Sequence, residues 1–398
     1  MKKNIIPYGK HFIDQDDIDA VVNVLKHNNL TQGPAVKSFE EKLAKYVGAK
    51  YAVAVSSWTA GLHIACLAAD VSSKDKVITS PITFVASSNA ALYCGAIPIF
   101  SEIDSETINM CPDKLRDTIN LNPEAKVIIP VHYSGLSCDM KSIKKIADKN
   151  RMLVIEDAAH ALGAKYEDGS MVGSCKYSDM TGFSFHPVKS IAAGEGGMIT
   201  TNNYEIYLRL LRLRSHGINK LNDKFINKNN AFTDGLKNPW YYEMQELGFN
   251  YRITDIQCAL GESQLKKLKK FIKRRVQLAK RYDKAFTGLK YLKPIHQNYR
   301  EQSSHHLYVL RINFKNYSTT RAEIMNRLLE KGILTQVHYL PVTSQPFYQG
   351  LGYNTSDYPE SNDFYNEALS IPMYFSLTND QQDYVINNIK SLLKIKNV

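Results

Sequence analysis

Between Tyr51 and Thr200 the chain alternates short apolar runs with segments of helical period, and this alternation most limits the fold. The runs are Tyr51-Ala52-Val53-Ala54-Val55, Lys76-Val77-Ile78-Thr79, Ile97-Pro98-Ile99-Phe100, Val127-Ile128-Ile129, Leu153-Val154-Ile155 and Gly197-Met198-Ile199-Thr200. Helix-period stretches lie between them at 59–69, 85–94, 112–119 and 140–150. Most of the runs are near-continuously apolar, as befits strands buried on both faces. Strands and helices in turn predict an α/β fold, with a mainly parallel sheet between helical layers. Two further amphipathic helices are predicted ahead of it, at 14–26 and 36–47.

A chain of 398 residues, 44% hydrophobic and 22% charged, can bury a large core and exceeds the usual single-domain size. A long helical stretch from Thr254 to about Leu289 is followed by the apolar run 307–312. A helix at 321–331 and a final helix near 380–395 complete the pattern. These predict a smaller α+β domain, so the division expected is 1–255 and 256–398. The polar stretch 213–247, with Lys224-Phe225-Ile226-Asn227-Lys228-Asn229-Asn230, reads as a long surface loop and a candidate substrate lid.

Several function classes drop out. The N-terminus has lysines but no apolar core of a signal peptide, and no apolar run approaches the ~20 residues of a membrane span. Cysteines at 66, 94, 111, 138, 175 and 258 form no C-x-x-C pair. A reducing, cytoplasmic setting without structural zinc or another metal site is expected. Much of the net charge of +11 sits in 265–275, where Leu265, Leu268 and Ile272 recur at helical spacing. Those lysines form a solvated helix face, and no nucleic-acid module is visible. A positive field also suits a polyanionic small substrate.

The chemistry centres on Lys189, in a loop between Pro187 and a glycine-rich turn, and on Asp157, at the end of an apolar run. A loop lysine with a strand-end acid suits pyridoxal phosphate: the lysine as Schiff-base anchor, the acid holding the ring nitrogen protonated. Ser56-Ser57-Trp58-Thr59-Ala60-Gly61 would bring hydroxyls and N–H groups to a helix start, where a phosphate binds. His160 follows Asp157 at i+3, and Ser184 precedes Lys189 by five residues. Singly, each has an ordinary explanation: a solvated lysine, an acid capping a helix, an N-cap serine, a core histidine. Gly194-Glu195-Gly196-Gly197 lacks a nucleotide-loop spacing and reads as a tight turn.

Joined with Leu30-Thr31-Gln32-Gly33-Pro34, Glu156 to His160, Phe183 to Gly197, Arg214-Ser215-His216-Gly217 and Gly248-Phe249-Asn250-Tyr251-Arg252, these segments carry a family likeness. The chain resembles the DegT/DnrJ/EryC1/StrS group of pyridoxal phosphate-dependent nucleotide-sugar aminotransferases, which have the aspartate-aminotransferase-like fold type I. The likeness runs over nearly the whole chain. It implies Lys189 as the Schiff-base lysine, Asp157 as the partner of the pyridinium nitrogen and Phe84 as the aromatic stacked on the ring. It implies a phosphate cup of Thr59, the Ala60 N–H and Ser184. His160 fills a position that is glutamine in many relatives. Asn250 matches a residue that reaches the phosphate of the neighbouring subunit, which implies a homodimer with shared sites. Trp58, Val188 and Ala193 depart from the small residue and the threonines frequent at those positions.

Within the group, segments 30–33, 306–308, 333–339, 346–349 and 363–372 are similar to the pseudaminic-acid-pathway aminotransferases. Those use L-glutamate to aminate C4 of a UDP-linked 4-keto-6-deoxy-N-acetylhexosamine, giving UDP-4-amino-4,6-dideoxy-N-acetyl-β-L-altrosamine. Another nucleotide-linked ketosugar is the alternative. Sugar dehydratases of the group carry histidine in place of the lysine, so Lys189 argues against them. A non-catalytic sensor on this fold has no need of the lysine, aspartate and phosphate residues together.

Overall fold

The computed structural model describes residues 5–220, 224–295 and 301–395. Seven strands form the main sheet: β1 (Tyr51–Val55), β2 (Lys76–Thr79), β3 (Ile97–Phe100), β4 (Ala125–Ile129), β5 (Leu153–Asp157), β6 (Met180–Ser184) and β7 (Gly197–Thr201). Their order is β1-β7-β6-β5-β4-β2-β3. From β3 to β6 all neighbours are parallel, and β7 runs antiparallel to both β1 and β6. The reversal has a simple cause. The connection 185–196 contains no helix, so the chain cannot cross over and returns beside the strand it has just left.

Burial on both faces is visible residue by residue. Ile128 and Val154 pack in a core with Phe39, Leu43 and Phe183 on one side of the sheet. Val127, Ile129 and Ile155 pack on the other with Leu62, Ile64 and Leu210. Adjacent residues of one strand therefore serve opposite cores, the period-2 geometry of a pleated strand.

The helix Asp255–Phe286 starts at Thr254, whose side chain and that of Gln257 cap each other's backbone N–H. Its first half gives Cys258, Leu265 and Leu268 to the large core. Its second half gives Leu278, Ala279, Tyr282 and Phe286 to a separate core. That core covers an antiparallel sheet of Leu292–Pro294, Tyr308–Ile312 and Ala368–Ile371. Residue 255, the expected division, thus sits at the start of a helix that joins both units. Ile6 lies in the smaller core and is hydrogen-bonded to Gly332 and Leu334, although the expected division placed it in the larger unit.

The stretch 213–247 differs from the loop expected of it. The helix Tyr204–Arg214 runs into it, Ile218–Asn219 pairs with Glu243–Met244, and Phe232–Thr233 pairs with Leu236–Lys237. Phe225 is buried with its ring edge-on to Tyr241, and Glu243 accepts the Ile226 and Asn227 N–H groups at 2.6 and 3.1 Å. Two-residue strands in a polar stretch have too little apolar alternation to stand out. Residues 221–223 of the stretch lie outside the described residues.

Among the described residues no helix is long and apolar enough to cross a membrane, and all six cysteines are free. Beneath the site, Glu156 is fully buried. It accepts hydrogen bonds from His132 Nε2 at 2.6 Å, Tyr166 OH at 2.8 Å and Thr181 Oγ1 at 2.9 Å, and another from Ser178. His132 Nδ1 accepts the Cys138 N–H at 3.1 Å, which leaves the ring proton on Nε2, facing Glu156. This network holds the carboxyl end of β5 in place. Glu156→Ala should strand these donors in the core and cost about 3–5 kcal/mol, read by urea denaturation of the cofactor-free protein.

Candidate active site

The carboxyl ends of β5 and β6, the start of β7 and the end of β1 meet at one edge, because Asp157 pairs with Gly182, Ser184 with Gly197 and Val55 with Gly197. A cavity of about 770 Å³ opens there, with Trp58, Asp157, His160, Lys189, His306 and Tyr339 among its walls. Ligands collect at this edge of open α/β sheets.

Lys189 projects from the β6–β7 connection. Its N–H donates to the His186 carbonyl at 2.8 Å, while Phe185 accepts from Ala193 and donates to Gly196, both at 2.9 Å. Ile191 and Ala193 are buried in the large core. The loop is therefore pinned at its base and along its far side. Burial lowers the Lys189 amine to about 8, and the opposing pull of Asp157 does not restore it.

Asp157 is 6% exposed. Its Oδ1 accepts from Trp58 Nε1 at 2.8 Å and the Ala159 N–H at 3.1 Å, and its Oδ2 from Ser87 Oγ at 2.6 Å. His160 Nε2 lies 2.9 Å from Tyr339 OH, and its ring sits 4.4 Å from that of His306. Burial first, then the charge of Lys189, pushes His160 well below its usual value. His306 is lowered chiefly by burial, and His338 by burial and then Lys189, to about 3. Three neutral imidazoles therefore border the cavity near neutral pH.

The helix Trp58–Ala68 starts at this edge, and Ser57, Thr59 and Ser184 line the cavity. Ala60 does not line it: its N–H donates to Ser57 Oγ at 3.1 Å, as the first hydrogen bond of the cap. Phe84 is 59% exposed on the cavity wall, its ring tilted 6.3 Å from Tyr339. Asn250 is exposed, bridged to Ser215, and not part of this cavity. No described residue of 213–247 lines it either.

The structure thus brings Lys189, Asp157, His160, Ser184, Thr59 and Phe84 to one cavity, and leaves Ala60 and Asn250 outside it. It adds Tyr8, His306, His338 and Tyr339, which sequence reasoning gave no chemistry. Segments 306–308 and 333–339 contributed to the family likeness, and that was their only signal. These residues fit pyridoxal phosphate: an amine for its aldehyde, a carboxylate for its ring nitrogen, hydroxyls at a helix start for its phosphate. His160 Nδ1 is buried without a hydrogen-bond partner among the described residues. Among the described residues no group of three or more His, Cys, Asp or Glu side chains is placed to hold a metal.

Only the neutral amine is nucleophilic, so the lowered Lys189 value has a kinetic consequence. In cofactor-free protein the rate of coupling to added pyridoxal phosphate should rise with pH and level off with a midpoint near 8. An unperturbed lysine would place that midpoint at about 10.4. Stopped-flow absorbance separates the two.

Comparison with known proteins agrees with this geometry. Residues 11–390 match the model of the DegT/DnrJ/EryC1/StrS aminotransferase family. The spore coat polysaccharide biosynthesis protein SpsC of Bacillus subtilis is 38% identical over 397 residues, covering 99% of this chain and 98% of that protein. The UDP-4-amino-4,6-dideoxy-N-acetyl-β-L-altrosamine transaminase of Campylobacter jejuni is 37% identical over 391 residues, covering 98% of each. The solved structure of Helicobacter pylori PseC, an aminotransferase in the biosynthesis of pseudaminic acid, superposes with a TM-score of 0.88 at 31% identity. That match covers 98% of this chain and 100% of the other. The chain belongs to the DegT/DnrJ/EryC1/StrS aminotransferase family, and its cofactor is pyridoxal phosphate.

Proposed function

We propose that the chain transfers the amino group of L-glutamate to C4 of a UDP-linked 4-keto-6-deoxy-N-acetylhexosamine, giving UDP-4-amino-4,6-dideoxy-N-acetyl-β-L-altrosamine. The observation that carries the reading is a lysine whose amine is lowered to about 8, in one cavity with the buried carboxylate of Asp157. The substrate follows the names of the Campylobacter and Helicobacter relatives, matched over nearly their full length.

Bound here, pyridoxal phosphate supplies an electron sink for the carbon that loses or gains the amino group. Lys189 would anchor the cofactor, and its Nζ would take the proton from the donor's α-carbon. On the return half-reaction it delivers a proton to C4 of the sugar. An amine poised near neutral pH is suited to both directions. Asp157 would hold the ring nitrogen's proton, and Ser57, Thr59, Ser184 and the helix start would hold the phosphate. His160 and Tyr339, joined to each other, and Phe84 line the same cavity and would enclose the cofactor there. The neutral histidines add no further positive charge beside Lys189.

The site also points to a second copy of the chain. Asn250 is exposed beside Trp240, Tyr242, Met244 and Leu247, which are 72%, 57%, 61% and 73% exposed. A run of exposed apolar side chains favours a protein interface. We infer a homodimer in which Asn250 of one protomer completes the phosphate site of the other. Six free cysteines suit a reducing compartment such as the cytoplasm.

Lys189→Ala should lower glutamate-dependent amination by about a thousandfold or more and remove the near-visible cofactor band, with folding intact by circular dichroism. Normal turnover in that variant would sink the assignment. A panel of UDP- and dTDP-linked 4-keto sugars tests the acceptor. For the dimer, Lys189→Ala and Asn250→Ala chains, each inactive alone, should regain activity when refolded together, because one site of the mixed dimer is then intact. No recovery on mixing would place Asn250 outside a shared site.

A further inference from the structure

Trp58 lines the cavity at the start of a helix, and the fold makes room for it. The indole is 5% exposed, at the first position of the helix Trp58–Ala68. A Cβ on Gly182 of β6 would lie 1.7 Å from the indole, and one on Gly61 of the same helix 2.6 Å from it. Any side chain at either glycine would expel the ring. The slot therefore holds Trp58 in one orientation, and in that orientation Nε1 donates to Asp157 Oδ1 at 2.8 Å.

A carboxylate offers about four lone-pair sites. Trp58 and the Ala159 N–H fill both on Oδ1, and Ser87 fills one on Oδ2. The site left over is on Oδ2, and Asp157 borders the cavity that also holds Lys189. We propose that Trp58 is a positioning residue for the cofactor: its N–H fixes the Asp157 carboxylate so that its single uncommitted lone pair is kept for the ring nitrogen of pyridoxal phosphate. This rests on the reading of Asp157 as the ring-nitrogen partner. Packing alone would explain the slot, but not the engagement of the carboxylate by the indole.

The test is the dissociation constant of pyridoxal phosphate, titrated into cofactor-free full-length chain. Trp58→Phe keeps a ring in the slot and removes the donor, and should weaken binding about tenfold, the loss of one hydrogen bond to a charged group. The same substitution in an Asp157→Ala chain should change binding less than about twofold, because no carboxylate is left to orient. Equal losses in the two backgrounds would overturn the role of Trp58 and leave that of Asp157 standing. An Asp157→Ala chain that binds the cofactor as tightly as wild type would overturn both. The chain has two tryptophans, and the other, Trp240, is 72% exposed. If Trp58→Phe fails to fold, Trp240→Phe leaves Trp58 as sole emitter. Its emission must then shift when Asp157→Ala is added, and an unchanged spectrum overturns the proposal.

Discussion

The parallel pairing of β5 with β4 and β6 is the constraint on which the rest depends. It sets Asp157 and Ser184 at the same edge of the sheet, and it is possible only because both faces of β5 are covered. Within that strand the last two residues divide the work. Glu156 is held in the interior by His132, Tyr166, Ser178 and Thr181, while Asp157 borders the cavity. A buried carboxylate in such a network limits how far the strand end can shift. The next residue is then delivered to the cavity in a defined place.

The second constraint is the loop from β6 to β7. It is a connection without a helix, anchored through Ile191 and Ala193 in the large core, and Lys189 is lifted from it into an enclosed space. Enclosure has an electrostatic consequence. An ammonium loses hydration there, so its amine is lowered toward neutral pH, and the histidines around it are driven to the neutral form. One packing decision thus makes the lysine reactive and clears its surroundings of competing positive charge.

The smaller unit closes the cavity. His306, His338 and Tyr339 come from segments beside its three-stranded sheet, and Arg275, buried in the joining helix, donates to the carbonyls of His305, His306 and Met373. The joining helix thereby fixes the wall formed by the smaller unit against the edge formed by the larger one. The His160–Tyr339 hydrogen bond bridges the two units, whereas Trp58, Ser87 and the Ala159 N–H, which bond Asp157, all belong to the larger one.

Apart from β6, whose Met180-Thr181-Gly182-Phe183-Ser184 is too polar to stand out as an apolar run, the order of strands and helices, the two-sided burial and the identity of Lys189 and Asp157 as candidates were legible in the residues, because apolar periodicity and strand-end acids are local signals. The antiparallel turn of β7, the short pairings within 213–247 and the helix Tyr204–Arg214 were not. Strand direction depends on what a connection contains, and two-residue strands carry no period. Ser87, Trp58 and Tyr339 act on Asp157 and His160 across separations of 70, 99 and 179 residues. Sequence by itself determined which side chains were available and which runs had to be buried. Only the tertiary structure decided which of them share a cavity, how far Lys189 is stripped of water, and that Asp157 keeps one lone pair free, because hydration and hydrogen-bond saturation depend on neighbours brought from distant parts of the chain.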